Sequence, residues 1–92
     1  MKARLILLNS QDNVLTLAGS VTKGETLEFD NESFCMDKDL SLGHKIARDD
    51  IAQGDKVIKY GEVIGTATCD IARWQHVHSH NLVSDYILRC KT

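Results

Sequence analysis

The chain has 92 residues, 42% of them hydrophobic and only 5% aromatic, which describes a folded domain with an aliphatic core and excludes a disordered or fibrous chain. With 11 basic against 13 acidic residues the formal charge is -2, so no basic field attracts nucleic acid or an anionic membrane, and neither is an expected partner. One domain of this size has too little chain to wall in a sugar-sized pocket of about 300 to 1,000 Å3, which points to a site shared with another polypeptide.

Met1-Lys2-Ala3-Arg4 before Leu5-Ile6-Leu7-Leu8 has the outline of a signal peptide, but Asn9-Ser10-Gln11-Asp12 ends the apolar run too early. A strand over 5–8 is expected instead. Further strands are expected over 14–18, 26–29, 45–47, 56–60, 63–68 and 76–80, where short runs rich in Val, Ile, Leu and Thr are bounded by Gly, Asn and Asp. No amphipathic helix stands out, and no run nears the roughly 20 apolar residues that cross a bilayer. The fold class expected is mostly β, with short strands and tight glycine turns.

Gly24 and Gly54 sit where such turns need positive φ. Tyr60-Gly61-Glu62 reads as a turn, and Ile64-Gly65 as either a bulge or a close backbone approach. Residues 29–42 are charged and irregular and residues 82–92 lack periodicity, so both are expected at the surface, with Asp37, Lys38 and Asp39 solvated. The stretch Asp50-Ile51-Ala52-Gln53-Gly54-Asp55-Lys56-Val57 returns as Asp70-Ile71-Ala72-Arg73-Trp74-Gln75-His76-Val77. One turn-to-strand unit used twice explains it, with Trp74 in the place of Gly54; chance similarity is the alternative for a single echo.

Cys35, Cys69 and Cys90 form no CxxC pair, so neither a disulfide framework nor a zinc ribbon is signalled. Reduced thiols in a cytoplasm fit, with Cys35 and Cys69 as small buried apolar groups and Cys90 in a tail.

Three of the four histidines fall in Gln75-His76-Val77-His78-Ser79-His80-Asn81. On a strand His76, His78 and His80 would share one face, with neighbouring Cα atoms roughly 6.6 Å apart. Two such imidazoles can converge on one metal ion at about 2.1 Å, whereas the outer pair, about 13 Å apart, cannot. A third ligand must come from elsewhere, from His44 or a second protein; exposed or hydrogen-bonded histidines are the alternative. Gly43-His44-Lys45-Ile46-Ala47-Arg48-Asp49-Asp50 gathers positive charge suited to a carboxylate, although Asp49 and Asp50 can neutralise it and a solvated face is what charge alone favours. No phosphate loop, Ser/His/Asp set or telling carboxylate pair is present, so nucleophilic catalysis has no residues to rest on.

Taken together, Gly43-His44-Lys45-Ile46-Ala47, the run Gly54-Asp55-Lys56-Val57-Ile58-Lys59-Tyr60-Gly61-Glu62-Val63-Ile64-Gly65, and His76-Val77-His78-Ser79-His80-Asn81-Leu82 resemble the small N-terminal domain of the altronate and galactarate dehydratase family, an SAF-type domain of the β-clip fold. The match covers residues 43–82; the first 42 residues resemble it only in style. The resemblance implies a single SAF-type domain over 1–92, with its motif core at 43–82 and a C-terminal tail over 83–92. It implies a hydro-lyase subunit, inactive alone and cytoplasmic, that completes the active site of a large catalytic dehydratase subunit acting on a small sugar acid. A chain ending at residue 92 resembles the separately encoded form.

The implied cofactor is a divalent metal shared with that partner, Fe2+ with Mn2+ or Zn2+ as alternatives. Carried onto this sequence, the metal ligands are His78 and His80 together with His76, and the substrate contacts are His44, Lys45, Lys59 and Tyr60. The family usually carries a glycine where this chain has Trp74, and the indole is expected to pack on the large subunit. The implied chemistry removes the proton α to a carboxylate and expels a β leaving group, for which a metal stabilises the enediolate. Two alternatives stay open: the alpha-type subunit of a sulfolactate sulfo-lyase, which expels sulfite in place of water, and a non-catalytic SAF module that binds a carbohydrate or a protein.

Overall fold

The computed structural model describes residues 5–84, and among them every regular element is a strand. In chain order these are β1 (Leu5–Ile6), β2 (Val14–Leu17), β3 (Thr26–Phe29), β4 (Glu32–Cys35), β5 (Lys45–Ala47), β6 (Lys56–Lys59), β7 (Glu62–Ala67), β8 (His76–Val77) and β9 (Leu82–Val83). They form three antiparallel sheets: β1-β2-β5-β8, the hairpin β3-β4, and β6-β7-β9. The expected mostly-β, SAF-type architecture of short strands and tight turns is what the chain adopts.

Register explains how the central sheet sorts its side chains. Directly paired residues share a face, and alternate residues of a strand face opposite ways. The pairs Leu5↔Leu17, Leu15↔Ile46 and Ile46↔His76 put Leu5, Leu15, Leu17, Ile46 and His76 on one face. Thr16↔Lys45 and Lys45↔Val77 put Thr16, Lys45 and Val77 on the other, with Val14 and Ala47. The first face packs with Leu27, Phe34, Met36, Val21 and Leu40 into one core; the second packs Val14, Ala47 and Val77 with Val57, Ala67, Ile51 and Ile71 into another. Each fully buried aliphatic side chain contributes about 1.5–3 kcal/mol, so both cores are substantial for so short a chain.

The echo between residues 50–57 and 70–77 is a pair of interlocked turns. Ile51 and Ile71 bridge each other; the Gln53 amide donates to Asp70 Oδ1 at 2.9 Å, and the Arg73 amide donates to Asp50 Oδ1 at 2.9 Å. Val21 and Leu40 form an equivalent bridge, so four matching turns lead into β3, β5, β6 and β8. The residue two places before each strand is left-handed: Gly24 (φ 89°), Gly43 (φ 93°), Gly54 (φ 88°) and Trp74 (φ 75°). Only at Trp74 does a side chain accept that conformation, at a cost of about 1–2 kcal/mol.

Several expectations need correction. The segment 29–42 is not wholly irregular, because β4 lies within it; its alternation is masked by charge, with buried Phe34 the single inward residue between exposed Ser33 and Cys35. Asp30 and Asn31 (φ 59° and 67°) close that hairpin, a left-handed pair without the glycine that usually announces such a turn. Leu82 and Val83 form β9 against Ala67 and Thr66, so the tail does not begin at 83; residues 85–92, Cys90 included, lie outside the described residues.

The strand expected over 5–8 stops at Ile6, and that over 14–18 at Leu17. The one expected over 56–60 stops at Lys59, where Tyr60 (φ 60°) enters the turn. Cys35 and Cys69 are exposed, not buried. Ile64-Gly65 meets both of its readings: Val57 pairs with Gly65 and Ile58 with Val63, leaving Ile64 as a bulge, while a Cβ on Gly65 would lie 2.4 Å from the Val83 carbonyl oxygen.

Candidate metal centre

The most consequential correction concerns the histidine row. The strand expected over 76–80 ends at Val77, so His76, His78 and His80 are not a simple alternating row. Residues 78–81 turn instead, around Asn81, which is 5% exposed. Its Oδ1 accepts the His78 amide at 2.9 Å, its Nδ2 donates to the His76 carbonyl at 2.9 Å, and its own amide donates to the His78 carbonyl at 3.0 Å. The Asn81 carbonyl accepts from Thr68 N at 3.0 Å, tying the turn to the end of β7. Asn81 thus folds the chain back so that His78 faces the same space as His76.

His44 arrives from the matching turn before β5, on the face that carries Ile46 and His76. Its Nδ1 lies 2.9 Å from His76 Nε2, a hydrogen bond in which one imidazole donates and the other accepts. One ring nitrogen from each of His44, His76 and His78 lies within 4.8 Å of the others. His76 and His78 are nearly parallel, with centroids 5.4 Å apart and planes 10° apart; His44 is tilted against both. The His80 ring sits 5.4 Å from His76 but does not join that group of three.

These donors suit a first-row divalent ion. Two ligands at right angles, each about 2.1 Å from one ion, are roughly 3.0 Å apart, so the spacing of His44 and His76 already matches a coordination pair. Protonation state agrees. His76 is pushed down to about 4, first by burial and then by positive charge at His44, Lys38, His80 and His78, so it is neutral at pH 7, the form in which an imidazole ligates a metal.

The remaining expected contacts lie elsewhere. Lys45 faces away from His76, on the side of the sheet that carries Val77, and its ammonium is held below the usual lysine range by burial and then by Lys59. Tyr60 is 64% exposed at the tip of the β6–β7 hairpin, with Lys59 Nζ 5.2 Å from its ring centroid. The sheet therefore gathers His44 with the other histidines and Lys45 with Lys59 on the opposite face. Nor is residues 43–50 simply a solvated face neutralised by its own acids: the Arg48 guanidinium donates to the Ser10 and Asp12 carbonyls at 3.2 and 2.9 Å, and Asp50 caps the turn at Arg73.

Three residues escaped the sequence reading. Asn81 stands inside the histidine motif, and a small amide ending a His-rich run is a recognisable turn former. Asp12, 2% exposed, accepts the Tyr60 and Gly61 amides at 3.1 and 2.8 Å and so fixes that hairpin tip; a partner 48 residues away leaves no local signal. Lys38 lies in a charged stretch that looked merely solvated, yet its charge reaches His76.

The altronate/galactarate dehydratase SAF domain, as a family, matches residues 3–85. Altronate dehydratase of Escherichia coli (strain K12) is 42% identical over 76 residues, 83% of this chain and 15% of that protein. Altronate dehydratase of Bacillus subtilis (strain 168) is 41% identical with the same coverage. The (2R)-sulfolactate sulfo-lyase subunit alpha of Chromohalobacter salexigens is 36% identical over 66 residues, 71% of this chain and 70% of that subunit. The chain thus spans about 15% of the altronate dehydratases it matches. Among the described residues no helix is long and apolar enough to cross a membrane.

Proposed function

Since the chain belongs to the altronate/galactarate dehydratase SAF-domain family, we propose that it is the small subunit of a sugar-acid hydro-lyase and completes an active site with a large catalytic polypeptide. The observation that carries this reading is the convergence of three imidazoles, one ring nitrogen of each lying within 4.8 Å of the others. His44, His76 and His78 hold a divalent ion in this proposal, Fe2+ with Mn2+ or Zn2+ as alternatives, and leave its other positions to substrate and partner. When bound, the ion supplies Lewis-acid stabilisation of the charge that develops as the proton α to the carboxylate is removed.

The chain's own residues do the rest of its share. His76, kept neutral, ligates at physiological pH without first losing a proton. Asn81 holds the His78 amide and the His76 carbonyl and so orients two of the three rings. His80 borders the centre, its ring centroid 5.4 Å from that of His76, and brings a hydrogen-bond donor suited to the substrate carboxylate. Lys45 lies across the sheet, where Lys59 helps hold its ammonium below the usual range, so we assign the first carboxylate contact to His80.

A second reading, the alpha-type subunit of a sulfo-lyase, is supported by the 36% identity to the Chromohalobacter subunit over 66 residues, 70% of that subunit. Both readings call for the same experiment. The chain is purified alone and with the large catalytic polypeptide, and elimination from altronate, galactarate and sulfolactate is assayed. Activity only in the complex is expected, and the substrate turned over separates the two readings. Full activity of the small chain alone, or unchanged turnover in a His78→Ala complex, would refute the shared-site proposal; the second result favours a non-catalytic binding module.

A further inference from the structure

At Gly24, Gly43 and Gly54, a Cβ would find no atom within 4 Å, so open space lies beside each of these turns and only the backbone conformation favours glycine. In the fourth turn a tryptophan fills that space. Its indole stacks on Phe34 with centroids 4.0 Å apart and planes 2° apart, and the Arg73 guanidinium carbon lies 4.2 Å from the ring centroid. Two groups that close to one ring centre cannot share a face, so the indole is sandwiched. Arg73 is itself anchored: Nε donates to the Arg48 carbonyl at 2.8 Å, and one terminal nitrogen donates to both Glu32 oxygens at 2.9 and 3.0 Å. Glu32 and Phe34 both belong to β4. The strained residue therefore ties the β3–β4 hairpin to the turn that delivers His76 two residues later.

We infer that Trp74 is a positioning residue for the imidazole cluster: clamped between Phe34 and Arg73, it locks the 72–75 turn and sets where His76 meets His44. A glycine would allow the same φ and keep the bond from the residue 74 amide to the Ala47 carbonyl, 2.7 Å in this chain, but would release the turn from the hairpin. What rests on the metal reading is only the consequence for ion binding; the ring geometry stands independently of it.

The test uses the whole chain, with Trp74→Gly and Trp74→Phe compared with the parent. Nuclear Overhauser contacts between the His44 and His76 rings report position, amide exchange at Ile46 reports the core, and Zn2+ titration reports affinity. The Gly variant is expected to lose the ring contact, keep core protection and bind Zn2+ about tenfold or more weakly, the range typical for groups that orient ligands. The Phe variant should stay near the parent. Loss of the ring contact in the Gly variant, together with a parent that keeps it but binds no Zn2+, would uphold the positioning role and end the metal reading. Parent-like contacts and affinity in the Gly variant would overturn the inference. Should that variant fail to fold, Phe34→Leu removes the stacking partner and leaves the turn intact, and the same readouts and outcomes decide.

Discussion

His44 Nδ1 and His76 Nε2 lie 2.9 Å apart although 32 residues separate them, because β5 and β8 are neighbours and the turns that lead into them are built alike. This contact closes the imidazole cluster from outside the histidine motif. If it forms part of a metal centre, His44→Ala, His76→Ala and His78→Ala should each lower Zn2+ affinity at least about tenfold, while His80→Ala lowers it by less than about threefold. Isothermal titration of the four variants checks this ordering, and a loss at His80 with none at His44 would move the centre toward the 76–80 segment alone.

The lowered pKa of His76 sets the sign of a pH effect. Its folded value of about 4 lies below the ordinary 6.5, so between these values the unfolded chain binds more protons. Stability from this group is fully present above pH 6.5 and is lost as pH falls toward 4. Melting temperature should therefore drop over that window in the parent, and the drop should be smaller in His76→Gln, measured by circular dichroism in metal-free buffer.

Asn81 is buried and makes bonds with both its side chain and its backbone. Asn81→Ala strands the His78 amide and the His76 carbonyl, at a cost of about 1–3 kcal/mol. Urea unfolding should show this loss, and Zn2+ affinity should fall with it because two rings lose their frame. Asn81→Asp, which keeps the acceptor for His78 but not the donor for His76, should fall between the two.

Asp12 caps the Tyr60 and Gly61 amides. Asp12→Ala should destabilise by about 1–3 kcal/mol and raise amide exchange at Tyr60 and Gly61, leaving Zn2+ affinity unchanged. A loss of metal binding in this variant would mean that the β6–β7 hairpin tip and the imidazole cluster are coupled.

Gly65 has ordinary backbone angles but no room. Its added Cβ would fall 2.4 Å from the Val83 carbonyl oxygen and 2.7 Å from Leu82 Cδ1, so Gly65→Ala must push β9 away from β7. Because β9 directly follows Asn81, exchange at Thr68 and Val83 should rise, with a stability loss of about 1–3 kcal/mol typical of overpacking.

Chain-local physics made much of this protein legible. The strands at 26–29 and 45–47 stand where alternation and turn residues placed them, Gly24 and Gly54 are left-handed as their turns require, and the echo of 50–57 in 70–77 is a true pair of matching turns. The combined GHK, VIKYGE and HVHSHN motifs carried the family, since each residue's identity is written locally whatever its neighbours in space. The histidine row was misread as straight because Asn81 overrides strand propensity with side-chain bonds that no periodicity records. β4 was missed because its pattern rests on one buried Phe34 among charges, and Cys35 and Cys69 were placed inside although their strand and turn face outward. Which imidazoles meet, which lysines face away, and what a left-handed tryptophan stacks against depend on register between distant segments. That register is chosen by the packing of two cores, a property of the whole chain at once, so only the tertiary structure decided it.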